Sequence, residues 1–298
     1  MKAAETLRYQ PNAIARGLIT RRSNLVAVII SNLTNLYYPE VLSQLSQQLS
    51  ERSIRLLLFT LERESGIDQM LEQIWQFRVD GAIVAARLSP GQIESFKERR
   101  VPLVLYNRSY EDQPVSSVCC DQGEAARALV NRLHAAGHMR FGIVSGPPDS
   151  VVGEQRTDAA MRRLRDLSHR NIHLVPGNYG YDSGVAAMHA LVSHFGTAPD
   201  AVICANDVMA LGCMDASRRV FGLEVPRDIS IVGFDGVGPA GWLSYRLTTV
   251  RQPVQRMAEA AVSMLVEQIE DTQLPPEKRM FSGILIEGAS ARLSEASP

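Results

Sequence analysis

Three aspartates in the chain follow apolar runs that are typical of buried β-strands. Asp121 and Asp235 come directly after such runs, and Asp207 lies three residues beyond another, next to Asn206. Open sheets of parallel strands bind ligands beyond the carboxyl ends of their strands. A carboxylate placed there accepts hydrogen bonds from ligand hydroxyls, and an asparagine amide both donates and accepts. For each of these residues the alternative is a helix N-cap or a loop position, and it is strongest for Asp207.

The residues that could carry enzyme chemistry form no complete motif. Gly236–Gly241 satisfies the GxGxxG spacing after an apolar run, but Pro239 removes an amide donor and no acidic residue in 242–257 could hold a ribose. The chain has no P-loop, HExxH or GxSxG sequence. The carboxylates described above leave a glycosidase pair open as a weak alternative. We therefore expect neither an enzyme nor a bound cofactor.

The elements that must position these residues follow from an alternation of apolar runs with amphipathic helix patterns. In the first half, the predicted strands cover residues 25–30, 54–59, 81–84, 103–106 and 117–120. Helices are predicted over 39–52 and around the apolar stripe in 67–74. Strand, helix and strand at this spacing indicate a parallel sheet, because parallel neighbours need a crossover connection.

The same rhythm begins again in the second half of the chain. Helices are predicted over 124–136, 152–167 and 253–269, and strands over 140–144, 201–204 and 229–234, with short strands in 280–287. Two successive sets of this kind predict two similar subdomains. The fold class is therefore α/β, with each subdomain a parallel sheet flanked by helices.

Composition describes a globular protein of 298 residues, with 45% hydrophobic and 21% charged residues. No run approaches the length of a membrane-spanning helix, and the first residues lack the apolar segment of a signal peptide. We expect a cytoplasmic protein with no membrane contact. The four cysteines, at 119, 120, 204 and 213, show no metal-ligand spacing, so we expect buried thiols and no metal site.

Charge is unevenly distributed along the chain. The first 22 residues hold five basic side chains and one acidic side chain, whereas the remainder holds 26 basic and 31 acidic. A mildly acidic body does not bind nucleic acid through its net charge, but a basic arm does. This difference indicates that nucleic-acid contacts belong to the amino-terminal segment.

That segment contains a short helical pattern over residues 9–18, Tyr-Gln-Pro-Asn-Ala-Ile-Ala-Arg-Gly-Leu. Asn12 is a suitable N-cap and Gly17 ends the pattern. So short a helix needs a partner in order to fold; the plain alternative is a frayed tail. The stretch resembles the hinge helix of the LacI/GalR family of bacterial transcription regulators. The resemblance implies DNA contacts from Asn12, Ala15 and Arg16, with Leu18 as an apolar wedge in a minor-groove base step.

The rest of the chain, over residues 24–293, resembles the periplasmic-binding-protein-like core of the same family. Motifs such as the one over 206–212 and the one over 248–253 occur in the family's order. The resemblance implies two subdomains around an effector cleft. The implied domains are 1–22, the end of the headpiece and the hinge; 23–136 with 251–281, the amino-terminal subdomain; and 137–250 with 282–298, the carboxyl-terminal subdomain.

The resemblance also implies which side chains bind the effector. Asp121 and Asp235 stand where the family uses carboxylates, and Arg156 matches an arginine that faces the cleft. Tyr37, Tyr38 and Tyr179 match loops at the two sides of the cleft, where they are candidate platforms for a sugar ring. Ser150 differs from purine-sensing relatives, which weakens the case for a nucleobase. The implied effector-binding residues are Tyr37, Tyr38, Asp121, Arg156, Tyr179, Asn206, Asp207 and Asp235.

These observations predict the effector-binding and dimerisation core, with hinge, of a LacI-type regulator. Its expected partners are a small metabolite, most simply a sugar or sugar derivative, operator DNA, and a second copy of the chain. The alternative is a sugar-binding protein of a transport system, which would share the core but carry a secretory leader and no hinge. Residues 1–8 resemble the end of a headpiece helix, so we expect a helix-turn-helix upstream of Met1 in a longer parent.

Overall fold

The structure is a computed structural model that describes residues 22–31, 33, 35–61 and 66–294. The proposed DNA-contacting residues Asn12, Ala15, Arg16 and Leu18 lie outside the described residues. The described chain divides into two compact units. Unit 1 takes in the described residues up to Ser31, then Ser43–Ser117 and Ala258–Lys278, and unit 2 holds the segment ending at Leu42, Val118–Met257 and the residues from Arg279.

The first sheet has six strands in the order β11-β5-β4-β3-β1-β2. Its strands are β1 (Leu25–Ser31), β2 (Arg55–Leu61), β3 (Gly81–Ala85), β4 (Leu103–Tyr106), β5 (Ser116–Cys120) and β11 (Lys278–Phe281). The associated helices are α1 (Tyr37–Glu51), α2 (Ile67–Gln76), α3 (Pro90–Glu98) and α8 (Val254–Glu270). Strand β1 pairs in parallel with both β2 and β3, and β3 pairs in parallel with β4.

The second sheet repeats this pattern in the order β12-β10-β9-β8-β6-β7. Its strands are β6 (Arg140–Val144), β7 (Asn171–Val175), β8 (Ala201–Cys204), β9 (Ser230–Asp235), β10 (Thr248–Arg251) and β12 (Ile284–Ile286). The helices are α4 (Gln122–Ala135), α5 (Val151–Asp166), α6 (Tyr181–Phe195) and α7 (Asp207–Arg219). Strand β12 is antiparallel to β10, whereas β6 to β10 run parallel.

Burial explains why the central strands have continuous apolar sequences. Residues Val26–Ile30 of β1 are almost completely buried, because helices cover both faces of a parallel sheet. Edge strand β2 has one face open and alternates between exposed and partly buried side chains. Each unit has its own apolar cluster, which includes Phe96 in unit 1 and Phe141 in unit 2. The α/β prediction with two similar subdomains is therefore confirmed.

The predicted strands and helices are all present, and their ends shift by at most two residues. Among the described residues, the structure adds five strands and α-helices that the sequence patterns did not indicate: α3, β7, α6, α7 and β10. Helix α7 is buried on nearly all sides, so its sequence lacks the polar face that marks an amphipathic helix. The predicted domain boundaries at 136, 250 and 281 stay a prediction.

The four cysteines are buried free thiols, as expected, with the sulfur atoms of Cys204 and Cys213 3.7 Å apart. Within the described residues, no helix is long and apolar enough to cross a membrane.

Candidate functional site

The candidate site lies at the carboxyl ends of the strands in the second sheet. Strand order reverses between β6 and β8, where the chain leaves the sheet in opposite directions. Open α/β sheets bind ligands at such a point. Residues that directly follow β8, β9 and β10 project polar groups at this edge. Helices α4 and α5 contribute the rest of the cluster.

Arg156 is the centre of this cluster. It lies on the second turn of α5, whose N-terminus is capped by the hydroxyl of Ser150. The guanidinium is 2% exposed and donates to three acceptors: Asp235 Oδ1 at 2.7 Å, Gln122 Oε1 at 2.7 Å and the carbonyl of Ala205 at 2.6 Å. A charge-assisted contact of this length is strong and directional. The structure therefore brings Arg156 and Asp235 together as a buried ion pair.

Two glutamines connect the ion pair to other segments of the chain. Gln252 donates to Asp235 Oδ1 at 2.9 Å, and Gln122 donates to the side-chain oxygen of Gln252 at 3.2 Å. The side chain of Asn35 also donates to Asp235. These three amides were not recognised in the sequence as site residues. Neutral amides carry no spacing signal, and Gln122 and Gln252 stand 130 residues apart.

The backbone at Asp235 has a φ of 108°, a value that side chains other than glycine rarely adopt. Such strain persists only where the surroundings hold the residue firmly, and it concentrates at functional sites. Burial raises the pKa of Asp235, while Arg156 and Gln252 work to lower it. Burial also opposes the charge on Arg156, but Asp235 and other neighbours raise the pKa of the guanidinium above its ordinary value.

Asp207 lies near this cluster, but its carboxyl group makes hydrogen bonds that connect parts of the fold. Its fully buried carboxyl group accepts hydrogen bonds from Thr249 Oγ1 at 2.5 Å and from the amide of Val237 at 2.9 Å. Burial raises the pKa of Asp207 to about 8, and the charge of Asp235 adds to the effect. This carboxyl group is therefore mostly protonated at neutral pH and joins α7 to the segments around β9 and β10.

Asp121 and Asn206 are both helix N-caps in the structure. Asp121 caps α4 by accepting a hydrogen bond from Glu124 N at 2.8 Å, and it is only partly buried. Asn206 caps α7 at 3.0 Å and donates to the carbonyl of Tyr179, also at 3.0 Å. Capping uses one oxygen of each side chain. The second carboxylate oxygen of Asp121 takes no part in the cap.

Tyr179 packs into the wall of the site rather than standing open beside it. It is 9% exposed, has a φ of 68°, and its hydroxyl lies 2.6 Å from Ser150 Oγ. The phenol fills the space that a side chain at Gly146 or Gly153 would need. A Cβ built on Gly153 would lie 2.6 Å from Tyr179 Oη. Both glycines are therefore required by the position of this ring.

Tyr37 and Tyr38 open helix α1 and are 5% and 7% exposed. Their ring centroids are 5.6 Å apart in an edge-to-face arrangement. Asn35 Oδ1 accepts a hydrogen bond from the amide of Tyr37 at 3.2 Å, which fixes the start of the helix. Both rings are therefore buried, and neither stands open as a platform in this structure.

The chemistry of the cluster suits binding. Its donors and acceptors are held in fixed orientations by several chain segments, as a polar clamp for ligand hydroxyls requires. Nucleophilic catalysis at Ser150 would need a base beside its hydroxyl, which instead contacts a phenol.

The glycine-rich loop after β9 forms a short 3-10 helix, Gly238–Gly241, beside a cavity of about 350 Å³. Arg251 packs against Gly236 and donates to its carbonyl at 2.7 Å. The arginine thus occupies the space beside the first glycine of the motif, where a dinucleotide would need close backbone approach.

Comparison with known proteins agrees with this geometry. Residues 130–291 match the family model of the periplasmic binding protein-like domain. The chain is 28% identical to a probable HTH-type transcriptional repressor, ExuR, of Bacillus subtilis over 93% of this chain and 84% of the relative. It is also 28% identical to the ribose operon repressor of Escherichia coli, over 97% of this chain and 88% of that protein.

Solved structures show the same fold. The lac repressor dimer bound to operator and an anti-inducer matches with a TM-score of 0.86 and 23% identity, over 95% of this chain and 99% of that one. A complex of the transcriptional regulator CelR with cellobiose matches with a TM-score of 0.80 and 27% identity, over 97% and 89%.

The fold and the family match define a periplasmic binding protein-like domain. The chain belongs to that family, in the group that contains the LacI/GalR transcription regulators. The resemblance found in the sequence is confirmed, and the relatives are transcriptional repressors rather than enzymes.

Proposed function

We propose that this chain is the effector-binding and dimerisation core of a LacI-type regulator, with a hinge that controls operator binding. The observation that carries the proposal is the buried Arg156 and Asp235 pair with Gln122 and Gln252, at the sheet edge where open α/β sheets bind ligands. Residues 9–18 supply the hinge pattern. The effector is a small hydroxylated molecule, because carboxylate, guanidinium and amide side chains are the groups that hydrogen-bond hydroxyls.

Relatives support a sugar or sugar derivative as the effector. One relative is named for the ribose operon, and two solved regulators of the same fold contain ribose and cellobiose. The transport alternative shares the core, but the names of the relatives favour regulation.

Dimerisation is supported by an exposed apolar pair on unit 2. Trp242 and Leu243 follow the short 3-10 helix and are 60% and 93% exposed. Contiguous apolar patches on folded domains mark interaction sites, and we propose that this pair belongs to one. A second copy of the chain would cover it.

Calorimetry with ribose, cellobiose and sugar acids tests the effector site. The wild-type chain should bind one of these compounds, and Asp235→Asn should weaken that binding by at least about tenfold, since one lost charged hydrogen bond has that effect. Asp182→Asn, on the exposed first turn of α6, is the matched control and should bind like wild type. Wild-type affinity in Asp235→Asn would exclude this cluster as the effector site.

Leu18→Ala tests the hinge in a parent that carries a headpiece. If Leu18 unstacks a base step, the variant should bind operator several-fold more weakly and bend it less. Circular-permutation gel shifts measure the bend angle. An unchanged bend would contradict the wedge.

A further inference from the structure

An open cleft of about 510 Å³ lies at the amino ends of β1, β3 and β4, the end of the first sheet opposite its carboxyl edge. Helices α2, α3 and α8 end at its walls. Four arginines and a single acidic residue line it. The lining comprises Arg22, Trp75, Arg78, Val79, Asp80, Arg99, Arg100, Val101, Pro102, Ile269 and Thr272.

Two of the arginines have assigned contacts with neutral groups. Arg99 lies over the Trp75 ring at 4.8 Å and donates to the carbonyl of Ser95 at 3.4 Å. Arg22 donates to the carbonyl of Ile269 at 3.3 Å. Neither contact neutralises the positive charge.

Arg78 and Arg100 have exposed side chains that make no ion pair or side-chain hydrogen bond within the part of the chain that the structure describes. Both occupy left-handed backbone positions directly after a helix, with φ of 49° and 55°. Such positions favour glycine, and another residue there costs roughly 1 kcal/mol or more.

The acidic residue in the lining does not pair with the arginines. Asp80 Oδ1 accepts from the amide of Ser23 at 2.8 Å and from its hydroxyl at 3.0 Å, and Oδ2 accepts from the amide of Asn24 at 2.7 Å. These hydrogen bonds hold the residues before β1 in place. Asp80 contributes one negative charge against four positive ones.

Helix ends explain part of the arginine content. A helix C-terminus carries about −0.5 charge and attracts cations. Three such ends and Asp80 together carry about −2.5 charges, which the guanidiniums of Arg78, Arg99 and Arg100 outweigh without counting Arg22. Glu98, Glu270 and Asp271 belong to the same helix ends, but they are not among the lining residues. The cleft surface is thus positive on a body with more acidic than basic residues.

The position of the cleft points to its ligand. Leu18, the proposed wedge, precedes Arg22 by four residues, which a fully extended chain spans in at most about 14 Å. Double-stranded DNA carries one charge per about 1.7 Å of its axis. A duplex held at the hinge therefore brings phosphates within reach of the cleft. We propose that this arginine cleft binds the sugar–phosphate backbone of DNA next to the hinge, an inference that rests on the proposed function.

Fluorescence anisotropy tests the proposal with a labelled 30-base-pair duplex of random sequence, titrated with the 298-residue chain between 20 and 200 mM salt. Arg78→Gln/Arg100→Gln should lower affinity about tenfold at low salt and reduce the slope of log K against log salt by about 2, because each lost phosphate contact removes about 0.9. Lys97→Gln/Arg170→Gln makes the same change of net charge at exposed positions outside the cleft. The control should change affinity less than twofold.

Equal losses in the two double variants would overturn the proposal, since the effect would then be one of net charge. Failure of the chain to bind the duplex at 20 mM salt would overturn it as well. Binding of pyrophosphate at the arginines without binding of the duplex would reassign the cleft to a small anion.

Different variants test the effector site and the arginine cleft, so the failure of one proposal can be told from the failure of the other. Asp235→Asn should lose effector binding and keep the DNA salt slope, whereas Arg78→Gln/Arg100→Gln should lose the slope and keep the effector. Loss of effector binding in Arg78→Gln/Arg100→Gln would indicate misfolding, which a thermal melt of that variant detects. The single variant Arg100→Gln then replaces it in the DNA titration.

Discussion

Arg156 in unit 2 and Arg78 in unit 1 use the same side chain in opposite ways. Arg156 is 2% exposed, and its three donors are directed at three acceptors from different chain segments. Arg78 is exposed beside an open cleft, with no ion pair or side-chain hydrogen bond inside the described ranges. The first guanidinium is fixed in place before any ligand arrives. The second is free to meet a partner from outside.

The difference shows how burial determines what an arginine can do. A buried guanidinium must be fully paired, because an uncompensated charge inside a protein costs several kcal/mol. Once paired, it orients its neighbours for a ligand that fits them. An exposed guanidinium pays little desolvation on its own and gains its interaction energy on binding, with a strong dependence on salt.

The largest expected effect is on stability at the two arginines. Arg156→Ala should lower the free energy of unfolding by about 3–5 kcal/mol, because it leaves the carboxylate of Asp235 buried and unpaired. Arg78→Ala should change it by less than about 0.5 kcal/mol, as surface substitutions usually do. Urea denaturation of both variants measures the difference. Similar losses in the two would remove the contrast between a fixed and a free arginine.

A second prediction concerns the pH dependence that buried Asp207 introduces. Its folded pKa of about 8 exceeds the ordinary value of 3.8, so the folded state retains a proton that the unfolded state has lost. The resulting stability is complete below about pH 4 and is lost as pH rises toward 8, by roughly 1 kcal/mol per pH unit within that window.

Asp207→Asn keeps a hydrogen-bonding side chain but cannot titrate. The free energy of unfolding should therefore fall less steeply between pH 5 and pH 8 in this variant than in wild type, as measured by urea denaturation at each pH. Parallel pH profiles for the two proteins would show that Asp207 ionises normally in the folded state.

The smallest expected effect is on stability at two helical glycines, Gly153 in a closely packed position and Gly91 in an open one. Gly153→Ala places a methyl group against Tyr179 Oη and should destabilise unit 2 by about 1–3 kcal/mol. Gly91→Ala, in α3 of unit 1, meets nothing within 4 Å and should stabilise by up to about 1 kcal/mol. Adding Tyr179→Phe to Gly153→Ala should recover part of the loss. Thermal melts of the three proteins report the order of stability.

Much of the fold follows from local patterns in the sequence. Buried central strands such as β1 and β3 are continuous apolar runs bounded by polar residues, and helix α2 shows a clear apolar stripe. The missed elements have physical reasons. Helix α7 is apolar on nearly every side, and β10 has the sequence Thr-Thr-Val-Arg, which contains a single apolar residue and so forms no apolar run.

The site was less predictable than the fold. Arg156 and Asp235 were named through the family resemblance, and the structure places them in contact, but no local pattern indicates that Gln122 and Gln252 join them. The burial of Tyr179 depends on Gly146 and Gly153, which approach its ring from separate segments. The basic cleft gave no signal either, because its arginines lie in three separate segments, before β1, after α2 and after α3, and come together only in three dimensions.

The polar cluster around Asp235 becomes complete only late in the synthesis of unit 2. Apart from Asn35, its members come from α4, α5, the end of β8, β9 and the segment after β10, so they enter the growing chain over 131 consecutive positions, from Gln122 to Gln252. A nascent chain that stops short of Gln252 holds Arg156 and Asp235 without the closing amide. The cluster is thereby complete only in chains whose synthesis has reached Gln252, near the end of the longest segment of unit 2.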